Sequence, residues 1–435
     1  MNHHPITSRD IPPEGEHLDR SRVEMLRTTL GGVAVLLGMV SVYLLFIAPD
    51  SIAGPFAYSW LFAFFFFFTL ALGGCFWVLL HNVSNSSWGT SVRRVMENLG
   101  SVFPWMAIYA LPLLCPKVQA FLYEWMVEHR AAADHLAEGE TLKQALHHSN
   151  HLLYAKYWWL NLPLWYGRFV LLFLGLGLVI WWMRKLSTDQ DTDPEPGTWR
   201  LLRARRHSTW PLIIFGLTIT FAGYDWLLGL DCTWFSTMWG VYLFAGAALS
   251  SMAVIILSVN WLRSLGYLQK VVNGEHYHLM GKLLFAFTFF WGYIAFSQFF
   301  LIWYANITEE TKWFIVRNTE GWNTGNYVLL FGHFVVPFLV LLQQWLKRSP
   351  MLIGIVAGYI LVMHAIDIYI VVMPERGISL THGAEHFIPL AYWGDILALA
   401  AVGAGFLWFL LRAFTQHALY PNRDPRILES ANVSN

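Results

Sequence analysis

The chain has 435 residues, 56% of them hydrophobic and only 13% charged, and its 28 Lys and Arg balance its 28 Asp and Glu. With no net charge it offers no basic field for nucleic acid, and its repeated apolar runs of about 20 residues match the ~30 Å of hydrocarbon that a spanning helix must cross. Its three cysteines, Cys75, Cys115 and Cys232, stand in no CxxC or CxxCH pattern, so zinc, attached haem or a cluster held by this chain alone is not expected.

Residues 1–27 are polar and lack the apolar core of a signal peptide, so the first span is expected to be retained. Ten spans follow, near 28–48, 58–80, 95–115, 158–183, 210–230, 234–261, 283–304, 326–346, 351–373 and 389–411. They must be helices, because lipid offers no partner to unpaired backbone groups and the alternation of barrel strands is missing. The expected fold is therefore an all-α integral membrane protein of about ten transmembrane helices, with a membrane domain at 28–411 and a tail at 412–435. Of the 28 Lys and Arg, 20 fall in the amino-terminal segment and every second connection, seven on the other side, and Arg168 lies within a span. The positive-inside rule then puts both termini in the cytoplasm.

The longest outer connection, 116–157, contains FLYEWMVEHRAAADHLAEG, whose alanines and apolar spacing predict a helix on the outer face or against a partner. His147, His148 and His151 in HHSNH have metal-ligand spacing, but without a nearby carboxylate or thiol they read as surface residues. The inner stretch STDQDTDPEPGT, 187–198, reads as a linker.

Ionisable residues inside the spans carry the functional signal, since each costs about 2.5–3.5 kcal/mol to insert at mid-membrane. At 1.5 Å rise per residue, Asp225, His333, His364, Asp367 and Asp395 are expected in one outer layer, with Asp231 at its rim and Arg168 nearer the middle as a counter-charge. On the inner side His81, Arg93, Arg94 and Glu97 flank the turn between the second and third spans, and there the ordinary reading is snorkelling and headgroup contact. For the outer layer the alternatives are helix pairing through ion pairs, proton exchange with a quinone, a proton path, or ligation of a b-type haem by His333 and His364.

Several stretches together resemble the F subunit of bacterial alternative complex III, within the NrfD-like, polysulfide-reductase membrane-subunit family. They are HNVSNSSWGTSVRRVMENLGSVFP (81–104), WLNLPLWYGRF (159–169), YDWLLGLDCTWFSTMWGVYLFAG (224–246), FWGYIAFSQFFLIWYANITEETKWF (290–314) and DIYIVVMP (367–374). The resemblance implies two four-helix bundles with flanking helices, in a bacterial inner-membrane complex that oxidises menaquinol or ubiquinol. It further implies a similar quinol-binding membrane subunit as neighbour, an outer-face iron–sulfur protein and multihaem cytochromes c, which hold the clusters and haem. In that family the quinol is served by a histidine in helix two of the neighbouring subunit, whereas this chain has Gly73, Gly74 and Cys75 there. The expectation is a non-catalytic subunit that supports the quinol-oxidising partner and contributes a proton path. The alternatives are a quinone-binding oxidoreductase subunit or, on weaker grounds, an independent transporter.

Overall fold

The computed structural model describes residues 5–136, 141–193, 197–319, 321–381 and 392–434. Among them there is no strand, and nine helices are long and apolar enough to cross a membrane, or ten if one bent pair is a single span. The main helices are α1 (Arg20–Phe46), α2 (Asp50–Ser84), α3 (Arg93–Leu114), α4 (Glu124–Asp134), α5 (Leu162–Thr192) and α6 (Thr209–Leu230). They continue with α7 (Trp239–Ser264), α8 (Gly274–Ala305), α9 (Thr308–Arg317), α10 (Asn323–Leu341), α11 (Pro350–Thr381) and α12 (Trp393–Phe414).

Local chemistry sets the ends of these helices. Asn161 and Asn273 accept from backbone N–H groups that open α5 and α8, and Asn85 and Asn306, at φ 51° and 49°, close α2 and α8 in the left-handed conformation that asparagine tolerates. A helix apolar on every side has to be surrounded by protein or lipid. Two helices take the protein interior: the apolar windows of α2 and α7 are 89% and 83% buried, against 17% for α1 and 22% for α10. The α2–α7 seam is the axis of the fold, with α11 and α12 also against α2, α8 and α11 against α7, and α1 on α12.

Two glycines make that axis possible. A Cβ on Gly73 would stand 2.2 Å from the Ala247 carbonyl oxygen of α7, and one on Gly74 would stand 2.7 Å from the Gly100 nitrogen of α3. The Gly73–Gly74 pair thus presents bare backbone to a different helix on each side, the close approach by which small residues hold helices together in lipid.

Three spans differ from the sequence expectation. The third is not one α-helix: Pro104, Pro112 and Pro116 each open a new short helix, the first two as 3₁₀ turns, and the chain bends by 82° at the break before Pro116–Leu122. The ninth does not stop before Pro374; α11 runs through it to Thr381, so Arg376 sits on a helix instead of in an outer connection. Much of the expected 187–198 linker is the last turns of α5, where Arg200 pairs with Asp189 and Asp193. The tenth span, expected at 389–411, is seen as α12 from Trp393, and residues 389–391 of the expectation lie outside the described residues. The helix expected in the long outer connection is α4, which buries Trp125, Met126 and His129, while 137–139 lie outside the described residues.

Candidate functional site

Asp367 and His364 project from α11 into the seam where α2, α7, α8 and α10 meet, and both are 1% exposed. Tyr242 of α7 donates its hydroxyl hydrogen to Asp367 Oδ1, and the Trp291 indole of α8 donates to Oδ2 at 3.1 Å. His364 Nδ1 lies 3.8 Å from the same Oδ2. On its far side, His364 Nε2 is 2.9 Å from Thr69 Oγ1 of α2. Thr69 already donates to the Phe66 carbonyl at 2.7 Å, so its remaining capacity is to accept, which puts the imidazole hydrogen on Nε2. Nδ1 therefore turns a lone pair toward Asp367 without a hydrogen bond to it, since 3.8 Å is beyond hydrogen-bond length.

His333 completes the group. Its ring lies flat on Trp291, centroids 4.0 Å apart and planes 7° apart, and perpendicular to His364 at 6.4 Å. It is carried by a π-helical stretch, Val328–Val335, within α10, the kind of widened turn that recurs at functional positions. Space for His364 comes from Gly246 on α7, where a Cβ would come within 3.0 Å of the imidazole Cε1.

The other buried acids are held differently. Arg168 Nε and Nη2 donate to the two oxygens of Asp225, each at 2.7 Å, and the guanidinium lies over the Trp159 ring at 4.0 Å. Arg376 Nη1 donates to Asp395 Oδ1 at 2.9 Å, beside a 2.5 Å hydrogen bond from Ser59 and a longer one from Tyr369. Asp231 pairs at the rim with Lys312 at 3.1 Å and accepts from Thr233. The expected outer layer is therefore four separate groups. Helix spacing gives depth but not azimuth: His333, His364 and Asp367 share one group, whereas Asp225 and Asp395 face other neighbours. Among the described residues Asp367 is the fully buried acid of this set with no Arg or Lys on it, only neutral donors and one imidazole.

At the opposite end, Arg93 and Arg94 do not face headgroups. Both guanidinium groups are buried, sharing Glu97 at 3.3 and 3.2 Å, and Arg93 reaches Asp424 of the carboxy-terminal tail at 2.8 Å while Arg94 reaches Asp191 at 2.8 Å. His81 is buried beside them and bonded to Ser86. The expected snorkelling fails because the tail and the end of α5 fold over this turn and supply carboxylates where water or lipid phosphate would otherwise be. Burial by itself would raise the Asp424 carboxyl, but Arg93 and then Arg426 outweigh it and hold it below the ordinary range. The ion pair is thus fully formed above the usual carboxyl value and is lost as pH falls through the lowered one. Asp424→Asn is expected to loosen the tail at neutral pH, read as faster limited proteolysis within 415–434; unchanged cleavage would show that Ser430, bonded to Ser91 and Trp88, suffices.

Tyr242, Trp291 and Thr69 carry no distinguishing signal in the sequence, since aromatic and hydroxyl residues are ordinary in spanning helices. Arg376 and Asp424 were visible only as charges beyond helix ends. In the outer loop the His147 and His151 rings are 6.3 Å apart, and the His148 side chain lies outside the described residues.

Chemically, Tyr242, Asp367, His364 and Thr69 form a string of groups able to take up or release a proton, hydrogen-bonded at both ends and separated by 3.8 Å between Asp367 and His364. The arginine-locked pairs hold helices together. Neither the models of known protein families nor the curated proteins gave a match to this chain.

Proposed function

We propose that this chain is an integral membrane subunit of a quinol-oxidising respiratory assembly in a bacterial inner membrane, like the F subunit it resembles, and that its part is to support the quinol-oxidising neighbour and carry protons. The observation that carries the proton role is Asp367: a carboxyl 1% exposed, bonded to Tyr242 and Trp291, with His364 and not an arginine beside it. A buried acid locked to Arg keeps one protonation state, whereas one held by neutral donors can change it. The similar quinol-binding subunit, the iron–sulfur protein and the multihaem cytochromes would supply the electron path.

The purified assembly should show haem and iron–sulfur spectra and oxidise a quinol. Asp367→Asn keeps the shape and one acceptor for the Trp291 indole, and the Tyr242 hydroxyl can turn to accept from the amide, so the assembly should form. Protons moved per quinol should fall, and turnover should drop by at least about tenfold if this string limits the rate. A complex without those cofactors and without quinol oxidation would end the assembly reading, and wild-type stoichiometry and turnover in the variant would end the proton role.

A further inference from the structure

Asn432 exchanges two hydrogen bonds with the Ile6 backbone, at 2.7 and 2.8 Å, so both terminal segments lie at one end of the bundle. At that end a short helix, Trp199–His207, joins α5 to α6 and packs on both. It turns Ala204, and Ser208 just beyond it, into the protein. On its opposite face Trp199, Leu202, Arg203 and Arg206 stand at i, i+3, i+4 and i+7, all exposed.

This face meets two apolar stripes. Along α5, Leu171, Leu174, Leu178 and Trp181 are 56–69% exposed at helical spacing, and the next position in line is the exposed Lys185. On α6, which packs against α5, Leu217, Ile213 and Trp210 are exposed in the same way, and Arg206 lies four residues before Trp210. Exposed leucine and isoleucine at this spacing face lipid, and tryptophans at the end of such stripes mark the level of the headgroups. Lys185 Nζ lies 5.4 Å from the Trp181 ring centroid, and the Arg203 guanidinium 5.8 Å from that of Trp182.

What sets the patch apart is its missing counter-charge. The acids at the end of α5 are already taken: Asp189 and Asp193 pair with Arg200 at 3.5 and 2.9 Å, and Asp191 pairs with Arg94 at 2.8 Å. Among the described residues no carboxylate pairs with Lys185, Arg203 or Arg206, so three like charges border one groove and favour an anion between them. We infer that the groove between α5 and α6 binds an anionic phospholipid, its phosphate among Lys185, Arg203 and Arg206 and its acyl chains along the two stripes. Lipid is favoured over a soluble anion because the cations continue the lipid-facing stripes instead of standing on the polar end of the bundle. Guanidinium groups suit the role, since each can give two parallel hydrogen bonds to phosphate oxygens. This site is independent of whether the chain carries protons or belongs to a quinol-oxidising assembly.

The test is photolabelling of the full-length protein in phosphatidylcholine nanodiscs, with a trace of phosphatidylglycerol or of phosphatidylcholine carrying a diazirine in its acyl chain. Peptides spanning 171–185 and 209–217 are expected to take at least about tenfold more label from phosphatidylglycerol. That excess should shrink as ionic strength rises, because exposed charges are screened. Lys185→Gln with Arg203→Gln and Arg206→Gln keeps long polar side chains and removes the charges, and should lower the label to the phosphatidylcholine level. The comparison of the two lipids on the wild-type protein decides the matter if the triple variant does not fold. Equal labelling by the two lipids, undiminished label in a folded triple variant, or label confined to other peptides would overturn the site. Loss of label on adding inorganic phosphate or a polyglutamate peptide at constant ionic strength would also overturn it, by giving these cations to a soluble anion.

Discussion

Arg168→Leu is expected to destabilise the protein by about 3–5 kcal/mol, the cost of leaving a buried carboxylate without its partner. Asp225 is 2% exposed, and both of its oxygens accept from this one guanidinium. The pair also closes a weak place: Asp225 lies in a π-helical turn, Gly223–Leu227, where α geometry lapses near the end of α6. Replacing both residues, Arg168→Leu with Asp225→Leu, should recover most of the loss, because the penalty comes from the stranded charge more than from the missing attraction. Thermal unfolding of the purified protein in nanodiscs reads both effects. If Arg168→Leu cost less than about 1 kcal/mol, the pair would be a solvated contact of the surface kind. Asp367→Asn, by contrast, strands no cation and should leave the unfolding temperature close to wild type. The two substitutions together separate acids that hold the fold from the acid proposed to move protons.

Gly73→Ala should cost at least about 3 kcal/mol, the upper end for overpacking a filled interior. The added carbon would meet the Ala247 carbonyl oxygen and the Ser251 hydroxyl, each at 2.2 Å. The hydroxyl can rotate, but the carbonyl is part of the α7 backbone. Relief requires α7 to move away from α2, and α8 and α11 pack on α7. Trp77 of α2 bonds the Ala248 carbonyl and Ser251 one turn away, at 3.1 and 3.0 Å, so separation would also break those contacts. Ala at Gly38, where a Cβ would meet nothing within 4 Å, is the matching control and should be neutral. Equal unfolding temperatures for the two variants would show that the seam yields more readily than its packing implies.

Much of this architecture is legible without coordinates. The 20-residue apolar runs give the spans, since only a hydrogen-bonded helix can cross lipid. Polar residues in their interiors mark the places where something must compensate. His364 and Asp367 were readable as neighbours because i and i+3 share a helix face. What spacing could not supply was azimuth between helices: Asp225, Asp395 and Asp367, expected at one depth, meet Arg168, Arg376 and Tyr242 respectively. Prolines misled in both directions. Three of them open new short turns in the third span, with an 82° bend before Pro116, while Pro374 is absorbed inside α11 and puts Arg376 on that helix.

The amino-acid sequence by itself determined that this is a helical protein built to lie in lipid, where its spans fall, and that a histidine and a carboxylate share one face of α11. Those properties follow from composition and from the period of a single helix. Tertiary structure decided which charges are partners, and that Asp367 alone of the buried acids discussed is held by neutral donors and an imidazole. These depend on how helices distant in sequence turn toward one another. Glycines that admit a neighbouring backbone and prolines that bend or keep a helix set that rotation, and it leaves no periodic trace in the chain.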